Sequence, residues 1–387
     1  ENKNISDLTG IEDFSNLSIL QVHSNGLTSI DVSNNTLLTY LNLNNNDLTS
    51  LDISNNTLLT HLYTNNNELT TMDVTNNDTL VFLYLESNSL TTVTGVNDKI
   101  NLTHLQLQDN ELTSVDLSGC TSLSNPVNVW NNNLSSLDIT GCTALTHLTC
   151  YSNQLASLDV SSNTALTELR CRDNNLTSLD VNANTSLTIL RCQANELTAL
   201  DVSSNTALTD LRCYINSLTS LDVSSNTALT YLNCGGNELT SLDVSSNTAL
   251  TNLYCYGNQL TYLNMKNGIT DSLTTFNATN NSSLTCIEVL DTDIDWATTN
   301  WTSVNGNIDE GVTFSEICSG NPNYTNVPDD NFEQALIDLG YDDTLDDYVL
   351  TENISSVTYL NVSNESISDL TGIQSFTALT TLYCHDN

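Results

Sequence analysis

The chain has 387 residues, of which 46 are acidic and only seven are Lys or Arg, for a net charge of −39. A surface this acidic repels nucleic-acid phosphate and anionic membrane alike, which excludes both as partners. No apolar run approaches the length of a membrane span, and no GxSxG, HExxH, phosphate-binding loop or paired-carboxylate signature occurs, so catalysis is not expected.

In chain order, residues 1–16 read as the end of an N-terminal cap. A leucine then recurs at Leu17, Leu38, Leu59, Leu80, Leu102, Leu123, Leu145, Leu166, Leu187, Leu208, Leu229, Leu250 and Leu273, in steps of 21 or 22 residues and a longer last one. These thirteen units fill residues 17–290. Leu229 to Ala249, LTYLNCGGNELTSLDVSSNTA, is representative. A period of this length with this pattern is the mark of a leucine-rich-repeat solenoid. The units resemble the bacterial 21-residue leucine-rich repeats with an LDV-type second half, common in secreted and surface proteins. That resemblance implies an extracellular or cell-surface location.

Alternation along a strand turns the two Leu and the Cys of LxxLxC inward, so each coil supplies one short strand to a curved parallel sheet. The LDV half alternates too and predicts a short extended segment on the opposite wall, with little helix. The recurrent Asn before the second half, from Asn25 to Asn258, is expected to satisfy backbone groups between coils. A second ladder at Asn35, Asn56, Asn163, Asn184, Asn205, Asn226 and Asn247 is interrupted by Cys120 and Cys142, which read as substitutes in it. The inward row Cys150, Cys171, Cys192, Cys213, Cys234 and Cys255 reads as packed free thiols. Pro126 falls where its coil needs a second Leu, so a bend or bulge is expected there.

Residues 291–320 form a C-terminal cap. Cys286 and Cys318 bracket a segment resembling the one that ends such arrays in related proteins. The resemblance implies a disulfide between them, and an oxidising exterior with it. Residues 321–328 read as a linker and residues 329–356 as the helical N-terminal cap of a next module. Its helix starts at Asp329 or Asp330, buries Phe332, Ala335, Leu336 and Leu339, and stops at Gly340. Residues 357–387 begin a further array. Indeed Ile5 to Asn25 returns as Ile367 to Asn387 at an offset of 362, as though the chain were one period of a tandem array.

All four Arg lie on three consecutive first strands. Arg170, Arg191 and Arg212 share one outward position, Arg172 is two residues on, and Tyr151, Tyr214, Tyr231, Tyr254 and Tyr256 lie on the same face or its edge. Arg and Tyr together make a patch suited to an acidic ligand, either an anionic polysaccharide or the acidic surface of another copy. Alternatively the Arg neutralise Glu168 and Asp210 beside them. The outward Asp row, including Asp159, Asp180, Asp201, Asp222 and Asp243, either holds cations, calcium being suited to oxygen ligands, or accepts hydrogen bonds from the following turn. No other cofactor is expected. His61, His104 and His147 stand two coils apart and read as ordinary surface residues. The expected role is a structural, adhesive module of a long extracellular tandem-repeat fibre or surface adhesin, with other copies or neighbouring modules as partners. The alternative is recognition of a glycan or protein by the Arg and Tyr face.

Overall fold

The computed structural model describes residues 4–318 and 321–387. Among them, thirteen three-residue or shorter strands, from Ile19–Gln21 to Thr275–Asn277, pair in chain order into one parallel sheet. Register is one coil per step: Leu41 lies beside Leu62, Leu62 beside Leu83, and Leu190 beside Leu211. The central Leu of these strands is buried and its neighbours are half-exposed, as strand alternation dictates. The opposite wall pairs only locally, at Thr71–Asp73 with Thr92–Thr94, Ser114–Asp116 with Ser136–Asp138, and from Ser241–Asp243 through Thr313–Ser315.

Two asparagine ladders run between the walls, and they use their amides differently. In the first, Asn174 donates from Nδ2 to the carbonyls of Cys150 and Cys171, at 3.0 and 3.1 Å. Its Oδ1 accepts from the N–H of Leu155 at 3.0 Å. In the second, Asn205 donates to the carbonyls of Val181 and Asn184, both at 2.9 Å, while its buried Oδ1 has no partner among the described residues. The second position therefore needs a donor only. A thiol supplies one: Cys120 Sγ donates to the Val96 carbonyl at 3.1 Å and Cys142 Sγ to that of Leu117 at 3.2 Å. Lys99, between Asn77 and Cys120 in this ladder, is buried and reaches out to pair with Asp78 at 3.0 Å.

The extra residue near Pro126 is absorbed in the loop before the strand. Val127, not position 126, lies beside Leu105 and Leu148 and fills the buried site, and Pro126 is exposed. The six cysteines of the 21-residue row are buried and free. Burial pushes the thiols of Cys150, Cys192 and Cys234 up to about 12, so they are unreactive packing groups.

Past the array the DTD run at Asp291–Asp293 is a turn of 3-10 helix leading into helix α1, Ile294–Asn300. Cys286 and Cys318 are joined by a disulfide. Residues 321–328 are not a bare linker: Tyr324–Asn326 pairs antiparallel with Tyr348–Leu350 and belongs to the following unit. That unit has its own apolar core, which includes Phe332, Leu336, Val349, Leu360 and Phe376. Helix α2, Asp330–Asp338, is capped by Asp329, whose carboxylate accepts from the N–H groups of Asn331 and Phe332. Phe332, Ala335 and Leu336 are buried as expected. Leu339 is 47% exposed, and Glu333 is buried instead. Glu333 faces inward because its Oε1 accepts from the N–H groups of Asp346 and Tyr348, both at 3.0 Å.

Candidate functional site

The concave face is built by the residues on either side of each strand's central Leu. One column runs Ile19, Tyr40, His61, Phe82, His104 across five adjacent strands. Its rings are in contact: Tyr40 to His61 at 5.3 Å, His61 to Phe82 stacked at 4.5 Å, and Phe82 to His104 stacked at 4.1 Å between centroids. Beside it Tyr63 and Tyr84 meet edge to face at 5.1 Å, and Tyr40 lies 5.5 Å from Tyr63. Burial lowers the pKa of both imidazoles, and for His61 the neighbouring His104 adds to the effect. Burial, then the proximity of Tyr40 and Tyr84, pushes the Tyr63 phenol up to about 12.

His61 and His104, expected as ordinary surface residues two coils apart, do stand two coils apart on this face, and Phe82, at the same position on the strand between them, joins both in one stack. Comparing one position across every coil, rather than searching for one residue type, would have found the platform.

The Arg and Tyr patch lies further along the same sheet and is internally paired. Asp210 accepts from Arg191 at 2.7 Å and from Arg212 at 2.9 Å, Arg170 pairs with Glu168, and Arg172 pairs with Asp173. Arg172 sits 4.0 Å over the ring of Tyr151, which Trp130 stacks on from the preceding coil at 5.2 Å. Arg212 sits 4.2 Å over Tyr231, with Tyr254 5.7 Å beyond. The Tyr256 ring lies across Gly235, where a Cβ would come within 2.6 Å of it, so the glycine makes room for the ring between coils carrying Tyr214 and Tyr256. Rings thus flank the patch on the same face, and its Arg are already engaged by carboxylates.

On the opposite wall Asp159, Asp180, Asp201, Asp222 and Asp243 each accept from the N–H two residues on, at 2.8–2.9 Å. The hydroxyl and N–H of that Ser hold Asp159, Asp201 and Asp222 below the ordinary carboxylate value. Among the described residues no three His, Cys, Asp or Glu side chains converge as a metal site would require. No helix among them is long and apolar enough to cross a membrane.

Against solved structures, this chain is similar to the functional domain of InlJ from Listeria monocytogenes, a structure described as including a cysteine ladder. The two share 34% identity over 74% of this chain at a TM-score of 0.55, and the chain spans 66% of that domain's length. The internalin inlF of the same organism matches at 22% identity, TM-score 0.58, over 79% of this chain and 89% of that one. The plant peptide hormone receptor RGFR1, solved with RGF2, matches at 22% identity and TM-score 0.60 over 79% of this chain and 57% of the receptor. The fold is a leucine-rich-repeat solenoid. Its structural neighbours include bacterial leucine-rich-repeat proteins. No protein-family model and no curated protein matches the chain.

Proposed function

We propose that the chain is a non-catalytic protein-binding module that works outside the cell through its concave face. The observation that carries this reading is the continuous ring platform of Tyr40, His61, Phe82 and His104 with Tyr63 and Tyr84 alongside. Interface centres are enriched in aromatic rings, which offer large contact area at small cost in side-chain entropy. An acidic ligand on the Arg patch has to displace Glu168 and Asp210, so the platform ranks ahead of the patch as the primary contact. With a net charge of −39, the partner is a neutral or basic protein surface. A photo-cross-linker at Tyr84 tests this against one at Asp201 on the opposite wall, using proteins from the native surroundings. The expected product forms from Tyr84 alone and is lost in Phe82→Asp with the circular dichroism spectrum unchanged. Cross-links only from Asp201 overturn the reading.

The second reading, a tandem extracellular fibre or adhesin, is favoured by the return of residues 5–25 as 367–387. Contour length of native material by electron microscopy tests it. Beaded threads many units long support it, and single arcs rule it out.

A further inference from the structure

The carboxylates of the concave face seat guanidinium groups in a recurring way. Asp210 holds Arg191 and Arg212, Glu168 holds Arg170, and Asp173 holds Arg172. Two of these guanidinium groups also lie on rings, Arg172 4.0 Å over Tyr151 and Arg212 4.2 Å over Tyr231. A carboxylate beside a Tyr ring is therefore the seat this face offers to an arginine.

Glu86 has such a seat and no cation in it. Leu85 is buried, so Tyr84 and Glu86 on either side of it leave the chain toward the concave face. Burial first, and then the charge of Glu86, raise the Tyr84 phenol, which places ring and carboxylate within electrostatic reach. The Asn66 N–H donates to the Glu86 carbonyl and the Ser87 N–H to that of Gln108, both at 3.0 Å, so Glu86 and Gln108 stand on adjoining coils. Among the described residues no other outward position of the strands from Ile19–Gln21 to His147–Thr149, nor the position two residues past each, is acidic. Among the same residues Glu86 enters no ion pair. Its Oε2 and the Oε1 of Gln108 are both buried with no hydrogen-bond partner there. Burial holds the Glu86 carboxyl above its ordinary value, opposed by its own N–H. An ionised carboxylate drawn half out of water without a partner costs free energy that a cation offsets. Glu86 is partly exposed, so the cation can come from outside the chain.

We propose that Glu86, with the rings of Tyr84 and Tyr63 beside it, is the anchor for an arginine side chain of the protein that docks on the ring platform. The inference rests on the platform reading and names what the partner must present. The guanidinium pairs with the Glu86 carboxylate, lies against the Tyr84 ring and donates a further N–H to the Gln108 Oε1. Its five donors in one plane suit two acceptors on adjoining coils, which the compact ammonium of a lysine does not. The net charge of −39 draws a basic partner toward every face of the chain. The unpaired carboxylate among rings then fixes where on the concave face its arginine goes, and so the orientation in which the rings are covered.

The test titrates the full chain with N-acetyl-arginine amide and, separately, with N-acetyl-citrulline amide, which has nearly the same shape and no charge. Amide and Tyr ring signals are followed by NMR. Saturable shifts at Tyr63, Tyr84 and Glu86 are expected with the arginine probe and not with the citrulline one. Glu86→Gln, which removes the charge and keeps the size, is expected to weaken the arginine probe at least about tenfold with the melting temperature unchanged. An equal response to both probes, an affinity indifferent to Glu86→Gln, or shifts as large around Asp201 on the opposite wall overturn the anchor. A photo-cross-linker moved to Gln106, beside Tyr84 on the next strand, separates the anchor from the platform. A partner product lowered at least about tenfold by Glu86→Gln supports the anchor. A product undiminished in Glu86→Gln removes the anchor and leaves the platform standing, and cross-links from Asp201 alone remove both.

Discussion

The Phe82 ring lies nearly flat on that of His104, centroids 4.1 Å apart and planes 20° apart, and His61 covers its other face at 4.5 Å and 13°. Protonating either imidazole puts a charge into a half-buried stack, so both titrate below the ordinary value of 6.5. The folded pKa values are depressed, so the unfolded chain binds the more protons. The stability these groups contribute is complete above pH 6.5 and is lost as pH falls through their lower folded values. Titration of the imidazole proton signals by NMR should show both below a reference histidine. In Phe82→Ala, which reopens the stack to water, both should move back up.

The two ladders separate a position that needs donor and acceptor from one that needs a donor only. Asn205→Cys keeps a donor toward the Val181 carbonyl and should cost about 1 kcal/mol or less, the worth of one ordinary hydrogen bond. Asn195→Cys removes the acceptor of the Leu176 N–H, a bond of 3.0 Å, and leaves that donor unpaired. That should cost about 1–3 kcal/mol. Urea unfolding of the two variants checks the order, and equal losses would mean the unpartnered Oδ1 atoms of the second ladder matter after all.

Much of this was legible in the sequence because a solenoid repeats its instructions. The Leu positions, the inward cysteines and the substitution of Cys120 and Cys142 into the Asn ladder each recur often enough to fix a register. The aromatic platform escaped because its column changes residue type from Tyr40 to His61 to Phe82 to His104, and contact across strands depends on position alone. Leu339 was expected on the buried face for a related reason: an isolated helix offers no sign that Asp346 and Tyr348 will bring N–H groups to Glu333 and turn it inward instead. Pairing of Arg191 and Arg212 with one Asp210 was open until the register set all three on adjoining strands.

Asp329 caps α2 and also binds the following coil. The hydroxyl of Ser368 is the main cause, with N–H groups of Ser368, Phe332 and Asp369 adding to it, of a pKa lowered to about 2. The depressed carboxylate contributes stability that is complete above its unfolded value of 3.8 and is lost as pH falls toward 2. Asp329→Asn should therefore flatten the acid limb of the unfolding curve of residues 321–387, and should cost about 1 kcal/mol or more at neutral pH through the weakened cap. Fluorescence of the array's own Trp residues will not report this, so amide exchange in α2 is the measurement.

Glu288 ties the last coil of the array to the capping segment. It is fully buried, and its carboxylate accepts from the Tyr262 hydroxyl at 3.1 Å, the Cys318 N–H at 2.9 Å and the Asn321 amide at 2.8 Å, with Lys266 Nζ 3.7 Å away. Glu288→Ala leaves these donors without their acceptor and should cost about 3–5 kcal/mol, the usual loss on removing one partner of a buried ionic cluster. The Cys286–Cys318 disulfide closes the same end over a separation of 32 residues, and its removal should cost about 2–4 kcal/mol. Since coils of a solenoid are stabilised by their neighbours, an unsealed end frays inward, and the loss should appear as an early transition before the main one. Scanning calorimetry of Glu288→Ala and of Cys286→Ser/Cys318→Ser tests this. If both melt in a single transition at the temperature of the unaltered chain, this end does not limit the stability of the array.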